Sequence, residues 1–156
     1  MYARMVAQNT IREQSPRKHA AVIALTGDLG SGKTTFVKGF AAGLGIRRRM
    51  VSPTFLIIKR YTIPEGRQTK VKKMHEACLY RFLFHIDAYR LKKPRELLSL
   101  GWREIAENPQ HLVLIEWAEK VRSLLPKASA WIALRHRKEG ERIIQSYGRA
   151  KPIISH

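Results

Sequence analysis

The residues with the plainest chemical meaning form a glycine-rich run, GDLGSGKT, from Gly27 to Thr34. Its spacing matches the Walker A pattern G-x-x-x-x-G-K-[ST]. Small residues allow successive backbone N–H groups to approach an anion, and the N-terminus of a following helix adds positive potential. Lys33 would neutralise the β- and γ-phosphates of a nucleotide, and the Thr34 hydroxyl would bind Mg²⁺. The run therefore predicts a nucleotide phosphate site.

Two acidic residues could complete the Mg²⁺ site, which usually needs a carboxylate at the end of a neighbouring strand. Asp87 ends the apolar run LYRFLFHID, and Glu116 ends the run HLVLIE. Since the chain has 12 acidic residues and only these two directly follow long apolar runs, we expect both near the γ-phosphate. Glu116 is the better metal ligand because its run is the cleaner buried strand, and Asp87 would orient or deprotonate the attacking water. The two roles remain exchangeable from sequence.

The elements that must position these residues follow the order strand, loop, helix. The continuous apolar run His19–Gly27 predicts a central strand buried on both faces. After the loop, apolar residues recur at helical spacing until a C-capping glycine; they are Phe36, Val37, Phe40, Ala41 and Leu44, followed by Gly45. This arrangement is the one in which a Walker A loop works.

The rest of the chain alternates predicted strands and helices. Strands are expected at Phe55–Ile58 and at the two runs that end in Asp87 and Glu116, with a basic, hairpin-like excursion at 62–79. Short helices should be interrupted at Gly101, a later helix should end at Pro126, and a terminal hairpin should turn at Glu139 and Gly140. The pattern predicts an α/β fold with a mainly parallel sheet flanked by helices and antiparallel hairpin additions.

Length and composition limit the class of protein. With 156 residues, 44% of them hydrophobic, we expect a single domain over 1–156, with poor order in 1–18 and 149–156. No apolar run reaches the roughly 20 residues of a membrane helix, and the N-terminus lacks the apolar core of a secretion signal, so we expect a cytoplasmic protein with no membrane contact. The single cysteine, Cys78, excludes an intrachain disulfide.

The net charge is unusually positive. Lys and Arg number 30 against 12 Asp and Glu, which gives +18. Such a surface attracts nucleic acid and other polyanions. General surface composition explains the same number equally well, so the charge indicates a class of partner and not a reaction.

Four motifs in order, GDLGSGKTTF, VSPTF, HIDAYRL and LIEWAEK, resemble the TsaE (formerly YjeE) family over roughly Val22 to Pro126. That family is the P-loop ATPase of bacterial tRNA threonylcarbamoyladenosine biosynthesis. The resemblance implies a P-loop NTPase-like fold that uses ATP and Mg²⁺ and acts with TsaD-like and TsaB-like proteins. It implies that ATP hydrolysis resets the modification complex and does not itself transfer the threonylcarbamoyl group.

The resemblance also assigns roles to residues. Thr34 and Glu116 bind Mg²⁺, Asp87 is a catalytic or metal-linked acid, and the predicted catalytic set is Lys33, Asp87 and Glu116. The predicted nucleotide-binding residues are Gly27, Asp28, Leu29, Gly30, Ser31, Gly32, Lys33, Thr34, Thr35, Thr54 and Trp117. Thr54 would offer a hydroxyl beside the γ-phosphate, and Trp117 follows the metal-binding acid.

The chain departs from the family in two places. The segment before the loop looks shorter than in typical members, which carry a helix there that helps to hold the base, so no adenine-contacting residue is predicted. The excursion at 62–79 looks longer and more basic, and is either a solvated hairpin or a contact for tRNA or a partner protein. Direct tRNA contact is a hypothesis from charge and not from the resemblance.

Several other charged residues have two readings. The run Arg47–Arg49 follows the predicted helix, where arginines usually interact with the helix dipole and only rarely act as an arginine finger. Arg90 suits a structural or interface ion pair, and His85 suits a hydrogen-bonded core position. Two alternative functions also stay open, a P-loop small-molecule kinase and a basic RNA-binding module with a vestigial nucleotide site.

Overall fold

The computed structural model describes residues 1–12, 18–48, 50, 56–64, 80–138 and 141–147. Its helices are α1 (Tyr2–Arg12), α2 (Lys33–Gly43), α3 (Arg95–Leu98) and α4 (Trp102–Glu107), and a 3₁₀ helix follows at Ala118–Leu124. Its strands are β1 (Ala21–Thr26), β2 (Ile58–Thr62), β3 (Phe82–Asp87), β4 (His111–Glu116), β5 (Ala130–Lys138) and β6 (Glu141–Tyr147). None of the helices in these residues is long and apolar enough to cross a bilayer.

The strands form one six-stranded sheet in the order β2-β3-β4-β1-β5-β6. Strands β3, β4, β1 and β5 are parallel, while β2 and β6 pair antiparallel at the two edges. The predicted α/β class is confirmed, with its mainly parallel sheet and two antiparallel additions. The connections at 65–79 and 139–140, which include the predicted turn of the terminal hairpin, lie outside the described residues.

Strand β1 lies at the centre of the sheet and is covered on both faces. Ile23 and Leu25 belong to the cluster that includes α1 and α2, whereas Val22 and Ala24 belong to the cluster that includes α3 and α4. Because alternate residues of a strand point to opposite faces, a strand covered on both sides is apolar at every position. This explains the continuous apolar run before the glycine loop.

Helix α2 begins directly after Gly32 and ends as the sequence predicts. Gly45 adopts a left-handed conformation (φ 80°), and its N–H donates to the Ala42 carbonyl at 3.1 Å. The Ile46 N–H donates to the Ala41 carbonyl at 3.0 Å. These two hydrogen bonds are those of a Schellman motif, which satisfies carbonyls left free at the helix end.

The N-terminal segment differs from expectation. Poor order was expected over residues 1–18, but Tyr2–Arg12 form α1, which packs on α2 and buries Ala7 completely. The contact with α2 requires a residue without a side chain at Gly43, because a Cβ placed there would lie 2.8 Å from the Ala7 Cβ. The two helices therefore approach closely, and this packing stabilises a segment whose composition alone did not predict order. Residues 13–17 and 148–156 lie outside the described residues.

Strand β2 begins later than predicted. The sequence predicted a strand at Phe55–Ile58, but β2 starts at Ile58. Leu56 is 70% exposed, and Ile57 has a φ of 62°, which is incompatible with extended backbone. The Ile57 carbonyl instead accepts the Asp87 N–H at 2.9 Å, so this turn is held against the end of β3.

Candidate nucleotide-binding site

The glycine loop joins the C-terminal end of β1 to the N-terminus of α2. Gly27 has a φ of 135°, and a Cβ on it would lie 2.1 Å from the Leu134 carbonyl oxygen of β5. A side chain at Gly27 is thus excluded both by backbone conformation and by space. Gly32, at the N-cap of α2, has a φ of 98°. The loop has the geometry that brings backbone N–H groups of the first helical turn toward an anion.

Lys33 turns back over the loop. Its Nζ donates to the carbonyls of Gly27 at 2.6 Å and Asp28 at 2.8 Å, and it lies 3.9 Å from the centre of the Trp117 ring. The side chain is only 4% exposed. Burial lowers the pKa of Lys33, and the nearby carboxylates, with Glu116 the strongest, oppose this effect. The result is a poorly hydrated ammonium group whose carbonyl partners could be exchanged for phosphate oxygens.

Glu116 lies at the end of β4 and meets the first turn of α2. The Thr34 Oγ1 donates to its carboxylate, at 2.9 Å from Oε2 and 3.2 Å from Oε1. Glu116 is 2% exposed. The two predicted metal ligands are therefore in direct contact, and a hydroxyl with a carboxylate is the oxygen set that Mg²⁺ accepts beside nucleotide phosphates. The residues present fit the ion.

His85 is the second partner of Glu116. Its Nε2 lies 2.8 Å from Oε1, and the ring is completely buried. An ionised carboxylate only accepts hydrogen bonds, so Nε2 carries the proton. We expected a satisfied core histidine, but the side chain contacts the predicted metal ligand, and its Nδ1 has no hydrogen-bond partner among the described residues. The sequence indicated which face His85 occupies, because His85 and Asp87 are two positions apart and therefore lie on the same face of β3.

Asp87 ends β3 beside Glu116. The two residues are register partners in adjacent parallel strands, and Asp87 is 4% exposed. Its Oδ1 accepts the Tyr89 N–H at 3.0 Å, which fixes the carboxylate at the beginning of the following loop. Both acids predicted from sequence thus reach the same edge of the sheet as the glycine loop.

Trp117 contacts both the lysine of the glycine loop and the exposed Tyr89. It adopts a left-handed conformation (φ 58°) at the start of the 3₁₀ helix, which is uncommon for an aromatic residue. One contact of its ring is Lys33, and another is Tyr89, with ring centres 5.1 Å apart. Trp117 therefore contacts the Walker A lysine directly, in addition to following Glu116 in the sequence.

Other predicted residues are placed less directly. The Leu29 side chain is 79% exposed, so only its backbone is suited to a phosphate. Arg47 and Arg48 are exposed beyond the C-terminal end of α2, whose 11 residues span about 16 Å. That position favours interaction with the helix dipole over an arginine finger. Arg49 lies outside the described residues, and so does the SPTF segment, which includes Thr54.

Sequence reasoning missed one residue at the loop. His136 of β5 is exposed, and its Nε2 lies 2.7 Å from the Gly30 carbonyl oxygen. The two residues are 106 positions apart, and no motif links them.

Comparison with known proteins decides the family. A family model described as threonylcarbamoyl adenosine biosynthesis protein TsaE matches residues 3–144. The chain belongs to the TsaE family. The match begins within α1 and ends within β6, so it includes β1 to β5 in full and confirms the resemblance seen in the four motifs.

Individual relatives agree with this assignment. The TsaE protein of Bacillus subtilis is 39% identical over 127 residues, which cover 81% of this chain and 69% of the relative. The Treponema pallidum TsaE protein is 36% identical over 127 residues, covering 81% and 82%. Both are named tRNA threonylcarbamoyladenosine biosynthesis protein TsaE.

A solved structure supports the fold. The crystal structure of Bacillus subtilis YdiB aligns with a TM-score of 0.56 and 31% identity, over 91% of this chain and 75% of YdiB. The fold of this TsaE chain is accordingly P-loop NTPase-like, as predicted.

Proposed function

We propose that this chain is an ATPase required for threonylcarbamoyl modification of the adenosine next to the anticodon in tRNA. The observation that carries the proposal is the contact of Thr34 with Glu116 at 2.9 Å beside the Walker A lysine, in a chain of the TsaE family. Curated relatives carry the name of that biosynthesis. The three motifs that lie within the described residues meet at the carboxyl ends of the parallel strands β1, β3 and β4.

The proposed cofactors are ATP and Mg²⁺. Thr34 and Glu116 would hold the ion, which would neutralise charge on the β- and γ-phosphates. Lys33 would exchange the Gly27 and Asp28 carbonyls for phosphate oxygens, with the backbone of Gly27–Thr35 around them. His85 and Thr34 fix the orientation of the Glu116 carboxylate by donating to it.

Asp87 is proposed to orient the attacking water and accept its proton. It lies one strand away from Glu116 at the same edge, and its carboxylate is fixed by the Tyr89 N–H. Glu116 already has a contact with the Thr34 hydroxyl, so the metal role suits it better. Thr54, from the SPTF motif, is proposed to add a hydroxyl near the γ-phosphate.

The ATPase is proposed to act with TsaD-like and TsaB-like proteins in the cytoplasm, where hydrolysis resets their complex. Turnover by the isolated chain should be slow. The two arginines described after α2 lie at the end of the helix away from the phosphates, so they do not supply charge stabilisation to the transition state. Stimulation by the partner proteins is the expected consequence.

Direct contact with tRNA is a further part of the proposal. A surface hollow of about 630 Å³ is lined by Tyr89, Arg90, Leu91, Lys92 and Lys120. Tyr89 is 46% exposed and contacts Trp117, which lies over Lys33. Cations around an exposed aromatic ring suit the phosphates and bases of RNA.

The substitution Lys33→Ala tests the proposed function. It should weaken ATP binding by about 100-fold, because a buried charged donor to phosphate is lost. Partner-stimulated ATP hydrolysis and the modified-adenosine content of tRNA in a strain depending on this protein should be lost. The fold should remain, since the side chain contacts the loop and not the core.

Lys38→Ala is the matched control, because Lys38 is exposed on the same helix. It should retain wild-type nucleotide affinity and activity. Full activity of Lys33→Ala would refute the proposed function. Transfer of phosphate from ATP to a nucleoside or sugar in a substrate screen would instead favour a small-molecule kinase.

A further inference from the structure

Strand β5 extends beyond the end of the parallel sheet and runs beside the glycine loop. It pairs with β1 from Ala130 to Ala133 only, opposite Ile23–Thr26. Residues Leu134–Lys138, here called the arm, continue past β1 and pair with β6 alone. The Leu134 carbonyl lies against Gly27, so the arm starts in contact with the loop.

His136 is the arm residue that reaches the loop apex. It shares a face of β5 with Ile132 and Leu134, which pack in the same cluster as α2. Its Nε2 lies 2.7 Å from the Gly30 carbonyl oxygen. A carbonyl only accepts hydrogen bonds, so Nε2 carries the proton and donates it to this contact.

An irregularity in the hairpin occurs at the same place. The β5–β6 register shifts between His136 and Lys138. Extra residues of this kind bend a strand and change the direction in which a neighbouring side chain points, and they are frequent beside active sites. The shift and the hydrogen bond are independent observations that both concern His136.

The hydrogen bond restrains a glycine, the residue type whose backbone has the most conformational freedom. Gly30 has a φ of 76°, and within the part of the chain that the structure describes only the His136 ring lies near a Cβ placed on it, at 3.6 Å. The carbonyl and N–H of one trans peptide unit point in opposite directions. With the Gly30 carbonyl held by His136, the Ser31 N–H is directed back across the loop, where it donates to the Asp28 carbonyl at 3.1 Å.

We propose that His136 is a positioning residue that holds the apex of the glycine loop through Gly30 and thereby strengthens binding of a nucleoside triphosphate. It acts by reducing the conformational freedom that Gly30–Gly32 lose when they close around phosphate. The inference rests on the proposed function only in taking the ligand to be ATP.

The test compares three variants of the full chain. His136→Ala removes the donor, His136→Gln keeps an N–H donor, and Arg137→Ala removes an exposed charge from the adjacent residue of β5. Affinity for a non-hydrolysable ATP analogue is measured by calorimetry with and without Mg²⁺. His136→Ala should weaken binding about 3- to 10-fold, the range of one hydrogen bond, while Arg137→Ala stays within about 2-fold and His136→Gln recovers most of the loss.

Hydrogen exchange of the nucleotide-free protein gives a second readout. The amides of Gly30–Gly32 should exchange faster in His136→Ala than in wild type and Arg137→Ala, because the apex loses its restraint. Equal loss of affinity in His136→Ala and Arg137→Ala would overturn the proposal, since it would show an effect of charge alone. Unchanged affinity and exchange in His136→Ala would also overturn it. Neither result would contradict the proposed function, which is tested separately by the Lys33→Ala variant.

Discussion

At the scale of residues, the site is organised around one buried carboxylate. A Glu116 side chain that is 2% exposed would be costly to ionise without donors around it. Thr34 and His85 supply those donors from two different elements. The same contacts that make the charge tolerable also fix its direction toward the phosphate loop. Packing and function therefore constrain the same three side chains.

Glu116→Gln and Asp87→Asn should separate the two acidic roles. Gln keeps the size of Glu116 but carries no charge, so Mg²⁺ should no longer strengthen ATP binding, a loss of about 10-fold or more. Asp87→Asn should leave the Mg²⁺–ATP affinity within about 3-fold and lower partner-stimulated kcat by about 100-fold. Calorimetry with and without Mg²⁺, together with steady-state kinetics, measures both. The reverse pattern would exchange the assignments.

At the scale of elements, the sequence predicts best where burial determines residue type. Strands β1, β3 and β4 were found from their apolar runs, and Asp87 and Glu116 from the ends of two of them. Helix α1 was missed because its stability comes from close contact with Gly39 and Gly43 of α2, which is visible only when the two helices are side by side. The start of β2 was missed because the left-handed Ile57 breaks an apolar stretch.

The contacts of single side chains were the least predictable part of the site. The spacing of His85 and Asp87 placed both on one face of β3, but the partner of His85 depends on how β3 and β4 are aligned. His136 reaches Gly30 only because β5 extends past the end of its pairing with β1. These contacts join residues distant in sequence, so no local pattern encodes them.

Gly43→Ala should destabilise the protein, although alanine favours helix. The added Cβ would lie 2.8 Å from the Ala7 Cβ and 2.9 Å from the Arg4 Cα, and the backbone of α1 cannot move away without losing its packing. We expect the free energy of unfolding to fall by about 1–2 kcal/mol after the helix propensity gain. Urea denaturation followed by circular dichroism measures it.

Gly39→Ala is the matched control for the same helix. Among the described residues its Cβ would meet only the Ala3 Cβ, at 3.1 Å, so a shift of the first turn of α1 by a few tenths of an ångström suffices. Its stability should lie within about 0.5 kcal/mol of wild type, because the helix propensity gain offsets the tight contact. Equal stability of the two variants would contradict the close approach of α1 and α2.

At the scale of the whole molecule, the sheet topology brings the site residues together, and the surface around them is positively charged. The segments that follow β1, β3 and β4 all leave the sheet at the carboxyl ends of parallel strands, where ligands of open α/β sheets bind. Among the described residues, Asp87 and Glu116 are buried there together with Lys33, so the site holds little of the net charge of +18. The positive net charge therefore belongs to the outer surface.

This surface should bind tRNA with a steep dependence on salt. If the hollow beside Tyr89 contacts the RNA backbone, log K should fall linearly with log[KCl], and Lys92→Ala should reduce the slope by about 1. Lys127→Ala, an exposed lysine outside the hollow, is the matched control and should leave the slope nearly unchanged. Fluorescence anisotropy with labelled tRNA between low and physiological salt measures the slopes. The same reduction in both variants would show that net charge, and not the hollow, attracts RNA.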